Sequence, residues 1–236
     1  MTAKPAPDDS VEVGETGGAT GSDAEPVLRS DRVLPTGRAA VAKRLLDLVG
    51  ATAGLMMAAP FMAAIALAVK LDSPGPVFFS QERSGALGKP FRMYKFRTMV
   101  ADAEAQLARY VDLDALAEPQ FKLRHDPRVT RVGRLLRRTS LDELPQLVNV
   151  LWGDMSLVGP RPEECRLVER YDDWQRQRIL MKPGLTGPAQ VSGRGDLGLD
   201  ARVRLEVAYM RQYSLLKDLQ ILARTVPAVL RRTGAY

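Results

Sequence analysis

The chain has 236 residues, a net charge of +6 and a single cysteine. That length carries one compact domain plus something, or two small ones, and is enough to bury a core, while the lone Cys165 excludes a disulfide framework and, beside one histidine, argues against a structural zinc site. Residues 1–35 hold seven acids against three bases, so the remainder is strongly basic and suits anionic partners such as phosphates, anionic lipid or nucleic acid.

Residues 1–38 read as a disordered N-terminal tail. The first 35 contain four Gly, four Pro and no Ile, Phe, Tyr or Trp, too little apolar surface to offset the entropy of ordering. The tail has no basic n-region and no apolar h-region, so it does not read as a signal peptide. The rest, 39–236, reads as one unit. From Leu48 to Lys70 no charge interrupts an apolar run long enough to cross a bilayer as a helix. Pro60 sits in its middle, where it removes a backbone hydrogen bond. Lys43 and Arg44 precede the run, and Lys70, Arg83 and Lys89 follow it. Basic residues on both flanks favour keeping both ends in the cytoplasm. The economical solution is a re-entrant helix–break–helix hairpin over about 46–70, hinged at Pro60. A buried core helix or a plain span is the alternative.

Beyond the run, Asp72–Pro76 is a turn by composition. Val77–Gln81 and Phe91–Phe96 are aromatic and β-branched runs separated by Gly and Pro, the pattern of a β-hairpin. Helical patterning is expected over 101–117, 130–138, 144–152, 163–181 and 201–232, the last interrupted at Pro227. That stretch mixes Leu219, Ile221, Leu222, Val226, Val229 and Leu230 with Arg224, Arg231 and Arg232, so it suits either a membrane surface or a core with a solvated basic side. The fold class expected is mostly α with a small β-hairpin (α+β).

The chemistry-bearing residues come next. Residues 121–140 hold seven bases and one acid, Asp126, with Arg128 read as solvent-facing. Asp142, Glu143 and Pro145 follow; proline near a helix start places the two carboxylates at the N-terminus of the 144–152 helix. Acids are favoured there for stability alone. The same position also favours an ionised carboxylate, as a nucleophile needs, and binds phosphate. Two carboxylates near a phosphate need neighbouring arginines or a hard divalent cation such as Mg²⁺. Arg161 is fenced by Pro160 and Pro162 and suits bidentate phosphate recognition, or is a solvated turn residue. Lys182–Arg194 is a second Gly/Pro-rich loop, either cradle or connector. Gly193–Gly198 matches GxGxxG only by letter, and the lone His125 reads as structural or solvent-facing.

These residues resemble the bacterial sugar transferases that act as monotopic polyprenyl-phosphate hexose-1-phosphate transferases (small phosphoglycosyl transferases). The resemblance runs from about Lys43 to Tyr236 and rests on KRLLDLVG, the proline-broken apolar run, LDSPGPVFFSQER, YKFRTM, DPRVTRVGRLLRRTSLDELPQLVNVLWGDMSLVGPRP and KPGLTGPAQVSGR. It implies transfer of a sugar-1-phosphate from a nucleoside-diphosphate sugar, usually a UDP-sugar, to polyprenyl phosphate, with UMP leaving. By similarity Asp142 is the nucleophile that forms a covalent phospho-sugar intermediate, Glu143 completes the dyad, and Mg²⁺ binds there. Arg137 matches the family's phosphate-binding arginine, and Arg161 lines the site. Lys95 and Arg194 are further substrate-binding matches. The implied architecture is a re-entrant membrane hairpin broken at Pro60, amphipathic interfacial helices and a compact cytoplasmic catalytic domain on the inner membrane. Ala59 stands where many members have Ser before that proline. The residues themselves also allow a non-catalytic anionic-lipid binding module or a nucleic-acid binder, but neither has a use for adjacent acids inside a basic patch. The partners expected are the sugar donor, polyprenyl phosphate and the lipid bilayer, with no nucleic acid.

Overall fold

The computed structural model describes residues 35–107, 110, 123, 126–193 and 196–231. The expected tail therefore lies outside the described residues apart from 35–38, as do His125, Arg194 and most of the expected 101–117 helix. The described part of that last segment, 101–107, forms successive turns.

Helix α1 (Gly37–Asp72) is the longest element. Pro60 lies inside it and the helical run continues on both sides, where the sequence led us to expect two helices separated by a break. The helix is long and apolar enough to cross a membrane. One stripe of it faces the rest of the protein from end to end: Ala51 and Leu55 pack with the main core, while Met62, Ile65, Ala66 and Val69 pack with Phe96 and Leu136. The other faces leave Val41, Leu45, Val49, Met56, Met57, Phe61, Leu67 and Leu71 exposed.

Both ends of α1 are tied down by polar groups. Near the start, Lys43 pairs with Asp218 at 2.7 Å and Asp47 at 3.3 Å. Arg44 donates to the carbonyls of Val150 and Leu151 at 2.7 Å, satisfying acceptors that the end of a helix leaves open. Near the finish, Asp72 accepts the backbone N–H of Val132 at 2.9 Å. Arg97 donates to the carbonyls of Val69, Ser73 and Pro74. Lys43 is thus a buried tether rather than a flanking charge in water.

Strands β1 (Phe78–Ser84) and β2 (Pro90–Phe96) form the expected antiparallel hairpin. Phe78 stacks on Phe96 across it, ring centroids 5.2 Å apart. Helix α2 (Arg131–Thr139) begins at Thr130, whose hydroxyl accepts the Gly133 N–H, and ends at Ser140 in the left-handed region (φ +56°). After one 3₁₀ turn, α3 (Gln146–Trp152) follows with Pro145 as its cap. The dyad therefore sits on the 3₁₀ turn between α2 and α3, one turn ahead of the helix start expected for it.

Strand β3 (Ser156–Val158) pairs in parallel with β5 (Gly184–Thr186), and the short β4 (Glu163–Glu164) adds to β1. These strands occupy stretches read as loops or helix. Segment 163–181 is not one helix but β4, the single-turn α4 (Cys165–Val168) and a 3₁₀ segment, Gln175–Leu180. Ladder bonds to β1 and the Arg83–Glu163 and Arg83–Glu164 ion pairs outweigh local helical propensity there. Gly159 and Gly184 let the two loops touch: a Cβ on Gly184 would lie 2.1 Å from the Gly159 nitrogen. A short α5 (Pro188–Ser192) leads to α6 (Leu199–Arg211) and α7 (Leu215–Arg231). The break between those two falls at 212–214, where the Ser214 hydroxyl accepts the Lys217 N–H. Pro227 stays inside α7, so it is not the interruption expected of it. The described residues are mostly helical with two small sheets, consistent with α+β. Its main core joins α1, α3, β3, α6 and α7 through residues such as Ala51, Val150, Val158, Val203, Val207 and Ile221.

Candidate active site

The turn Leu141–Glu143 carries the two carboxylates. Its backbone is placed by Leu144, which packs against both hydrophobic clusters at once, and by Ser140, whose left-handed conformation reverses the chain at the end of α2. A non-glycine residue held there marks local strain.

Among the described residues, three cationic side chains approach the turn from three separate elements. Lys95 from β2 reaches Glu143 at 3.6 Å. Arg161, just past β3, donates through Nη2 to Glu143 Oε1 at 2.7 Å. Arg137 from α2 is held by the Thr98 hydroxyl, Nε to Oγ1 3.0 Å, within electrostatic reach of Asp142. Five of the site residues read from the sequence are thus gathered here. Arg194 lies outside the described residues, and Pro60 belongs to α1 instead.

The dyad's two acids differ. Glu143 is neutralised by Arg161 and Lys95. Asp142 is only 8% exposed, with no hydrogen bond or ion pair of its own among the described residues. Burial first, then the Glu143 charge beside it, pushes its pKa up to about 6, against the pull of Lys95, Arg137 and Arg161. Burial also lowers the pKa values of Lys95 and Arg137, opposed by the dyad's charge. The Glu143 charge raises that of Arg161. Arg161 keeps 38% of its side chain exposed, so donors of its fork beyond Nη2 remain open to an anion.

The donor set fits a hard divalent ion. The two carboxylates are neighbours on one turn, Asp142 has no ion pair among the described residues, and burial disfavours its charged form. Among the described residues no three acidic, His or Cys side chains cluster, so such an ion would rely on one or two carboxylates completed by substrate phosphate oxygens, as Mg²⁺ does.

Arg128, read from the sequence as solvent-facing, is buried instead. It grips Asp126 at 2.7 Å and the Ala103 carbonyl at 2.9 Å, clamping the segment before α2. Sequence reasoning also missed Thr98. A hydroxyl on its own carries no sign that an arginine 39 positions away will dock on it.

A family model described as bacterial sugar transferase matches residues 38–232. The chain is 46% identical over 198 residues to the undecaprenyl-phosphate galactose phosphotransferase of Salmonella typhimurium, covering 82% of this chain and 41% of that protein. It is 42% identical to the UDP-glucose:undecaprenyl-phosphate glucose-1-phosphate transferase of Caulobacter vibrioides, covering 89% and 77%. It is 40% identical to the exopolysaccharide production protein ExoY of Rhizobium meliloti, covering 83% and 88%. The chain spans about two fifths of the length of several curated relatives, 41% and 43% in the Salmonella protein and a Streptococcus agalactiae galactosyl transferase. With the family model matching all but the two ends, the chain belongs to the bacterial sugar transferase family.

Proposed function

We propose that this protein transfers a sugar-1-phosphate from a nucleoside-diphosphate sugar, with UDP as the expected nucleotide, to polyprenyl phosphate, the initiating step of a polysaccharide or glycoconjugate. The observation that carries the reading is a buried Asp142, without an ion pair among the described residues and within electrostatic reach of Lys95, Arg137 and Arg161, in a chain whose relatives are named for undecaprenyl-phosphate sugar transfer.

In the proposed reaction an Asp142 carboxylate oxygen attacks the β-phosphorus. A new O–P bond forms as the bond to the bridging oxygen breaks, and the nucleoside monophosphate departs with that oxygen. A phosphate oxygen of the lipid then attacks the same phosphorus and releases Asp142 as carboxylate. Arg161 and Arg137 bind the non-bridging oxygens, where charge-assisted bonds are the strong ones. Lys95 and Arg161 hold the Glu143 carboxylate in ion pairs next to Asp142. Mg²⁺ held by Asp142 and Glu143 would neutralise the diphosphate and assist the leaving group.

The tethers at both ends of α1 support a monotopic arrangement. A 36-residue helix is roughly 54 Å long if straight, ample to cross about 30 Å of hydrocarbon. Yet it carries domain contacts from Lys43 to Asp72. A helix held at both ends by one domain keeps both ends on that domain's side of the bilayer and presents its exposed apolar face to lipid. We place that domain at the cytoplasmic face of the bacterial inner membrane.

The test is intact-mass spectrometry of the full chain with UDP-sugar and Mg²⁺ but no lipid acceptor. The wild type should release about one equivalent of UMP and gain the mass of a sugar phosphate at Asp142, as a covalent two-step mechanism requires. Asp142→Asn should abolish both. An adduct on Glu143, or UMP released only when the lipid is present, would overturn the assignment.

A further inference from the structure

Behind the Arg161 loop lies an ion pair that the reaction itself does not touch. Glu206 of α6 is completely buried, and so is Arg178 of the 3₁₀ segment at 2% exposure. They form a two-point contact: Arg178 Nε to Glu206 Oε2 at 2.8 Å and Nη2 to Oε1 at 3.0 Å. Nη1 of the same guanidinium donates to the Tyr171 hydroxyl at 2.8 Å.

The pair meets the site through the backbone of Arg161. The Arg161 N–H donates to Glu206 Oε1 at 3.1 Å, and the Arg161 carbonyl accepts from Arg178 Nη2 at 3.2 Å. Both polar backbone groups of one residue are therefore held by the two members of one buried ion pair. Pro160 and Pro162 have no N–H to offer, so Arg161 supplies the single donor of that tripeptide. The flanking prolines also restrict the chain, since a residue before proline is confined to extended conformations. The bonds from the Gly159 N–H to the Thr186 carbonyl and from the Gly184 N–H to the Pro160 carbonyl tie the start of the loop to β5; the pair holds Arg161 itself. Its reward is the direction of the Arg161 side chain, whose Nη2 reaches Glu143 at 2.7 Å.

We propose that Glu206 and Arg178 are positioning residues: they hold the Arg161 backbone so that its guanidinium stands over the dyad and its open donors meet the substrate phosphate. This rests on the reading of Arg161 as a substrate-binding group. A buried pair of this kind is a poor source of net stability, whereas it is well suited to fixing one geometry: Arg178 has a longer contact to Glu163 at 3.4 Å, but only Glu206 meets its guanidinium at two points.

The experiment is a double-mutant cycle on the full-length protein in lipid nanodiscs, with amide hydrogen exchange read beside UMP release. Glu206→Gln keeps shape and removes charge; loss of a charge-assisted bond predicts a fall of about tenfold or more in kcat/KM for the sugar donor. In an Arg161→Ala background the same substitution should change the residual rate by less than about twofold, since its effect passes through a side chain no longer there. Exchange of the Arg161 amide, the one exchangeable backbone position between Gly159 and Glu163, should accelerate. Equal losses in both backgrounds would mean a general structural role and overturn the proposal, as would unchanged exchange together with unchanged activity. Should Glu206→Gln fail to fold, Arg178→Lys, which keeps the charge but loses the two-point contact, completes the same cycle. A wild type that releases no UMP from any UDP-sugar would overturn the reading of the site, while accelerated exchange in Glu206→Gln would still support the clamp.

Discussion

Asp142 and Glu143 are neighbours with opposite fates. Glu143 finds two cations; Asp142 is left buried, and its folded-state pKa of about 6 stands above the ordinary 3.8. The folded protein therefore holds that proton more tightly than the unfolded chain does. Stability from the neutral acid is complete below the unfolded value and is lost as pH rises through about 6, a change of roughly 3 kcal/mol at one unit per 1.4 kcal/mol. Asp142→Asn, which mimics the neutral acid, should raise the Tm by several degrees at pH 7.5 in EDTA and leave it nearly unchanged at pH 4.5. Thermal melts at the two pH values check this; a destabilised variant at pH 7.5 would mean that Asp142 is satisfied in the folded state.

At the scale of elements, α1 is the most informative. Its stripe toward the domain, the Arg44 bonds to the end of α3 and the Asp72 bond to the start of α2 hold the two ends to one body. With Cys165 replaced by Ser, Ala39→Cys and Ser73→Cys should both react with a membrane-impermeant maleimide only after the cells are opened. Labelling of either site in intact cells would show that α1 spans. The hairpin β1–β2 and the α2–α3 turn play a complementary part: each delivers one group, Lys95 or the dyad, whose value depends on the other.

On the scale of the whole molecule, distant segments are joined by buried charge. Lys43 near the start and Asp218 in α7 are 2.7 Å apart, with side chains 8% and 0% exposed. Tyr209 donates to Asp218, and Ser156 and the Leu157 N–H to Asp47. The cluster locks α1, β3, α6 and α7 together. Lys43→Met would leave two buried carboxylates without their cation and should destabilise by about 3–5 kcal/mol. Adding Asp218→Asn, which removes one of those charges and keeps an acceptor for Tyr209, should recover part of the loss. Urea unfolding in detergent measures both. Additive losses would mean that the pair is not coupled.

Local chemistry was legible in the sequence wherever it acts over a few residues. The apolar run, the hairpin of aromatic strands, α2, α3 and the dyad beside Pro145 all follow from periodicity, turn residues and the restrictions of proline. The family motifs also singled out Asp142, Glu143, Arg137, Arg161 and Lys95, which the structure brings together at one turn. The tertiary structure alone decided which charges meet. Nothing local distinguishes Arg128, buried on Asp126, from exposed Arg134 or Arg138 in the same basic stretch. The parallel strands β3 and β5 are short and pair across some 25 residues of intervening chain, so no local pattern announces them. Glu206 offered one faint sign, an acid in the apolar stripe of Val203, Val207 and Met210, but its partner Arg178 lies 28 positions away. Periodicity is a property of neighbours along the chain, whereas an ion pair in the core exists only once the chain has closed around it and removed the water that would otherwise keep the charges apart.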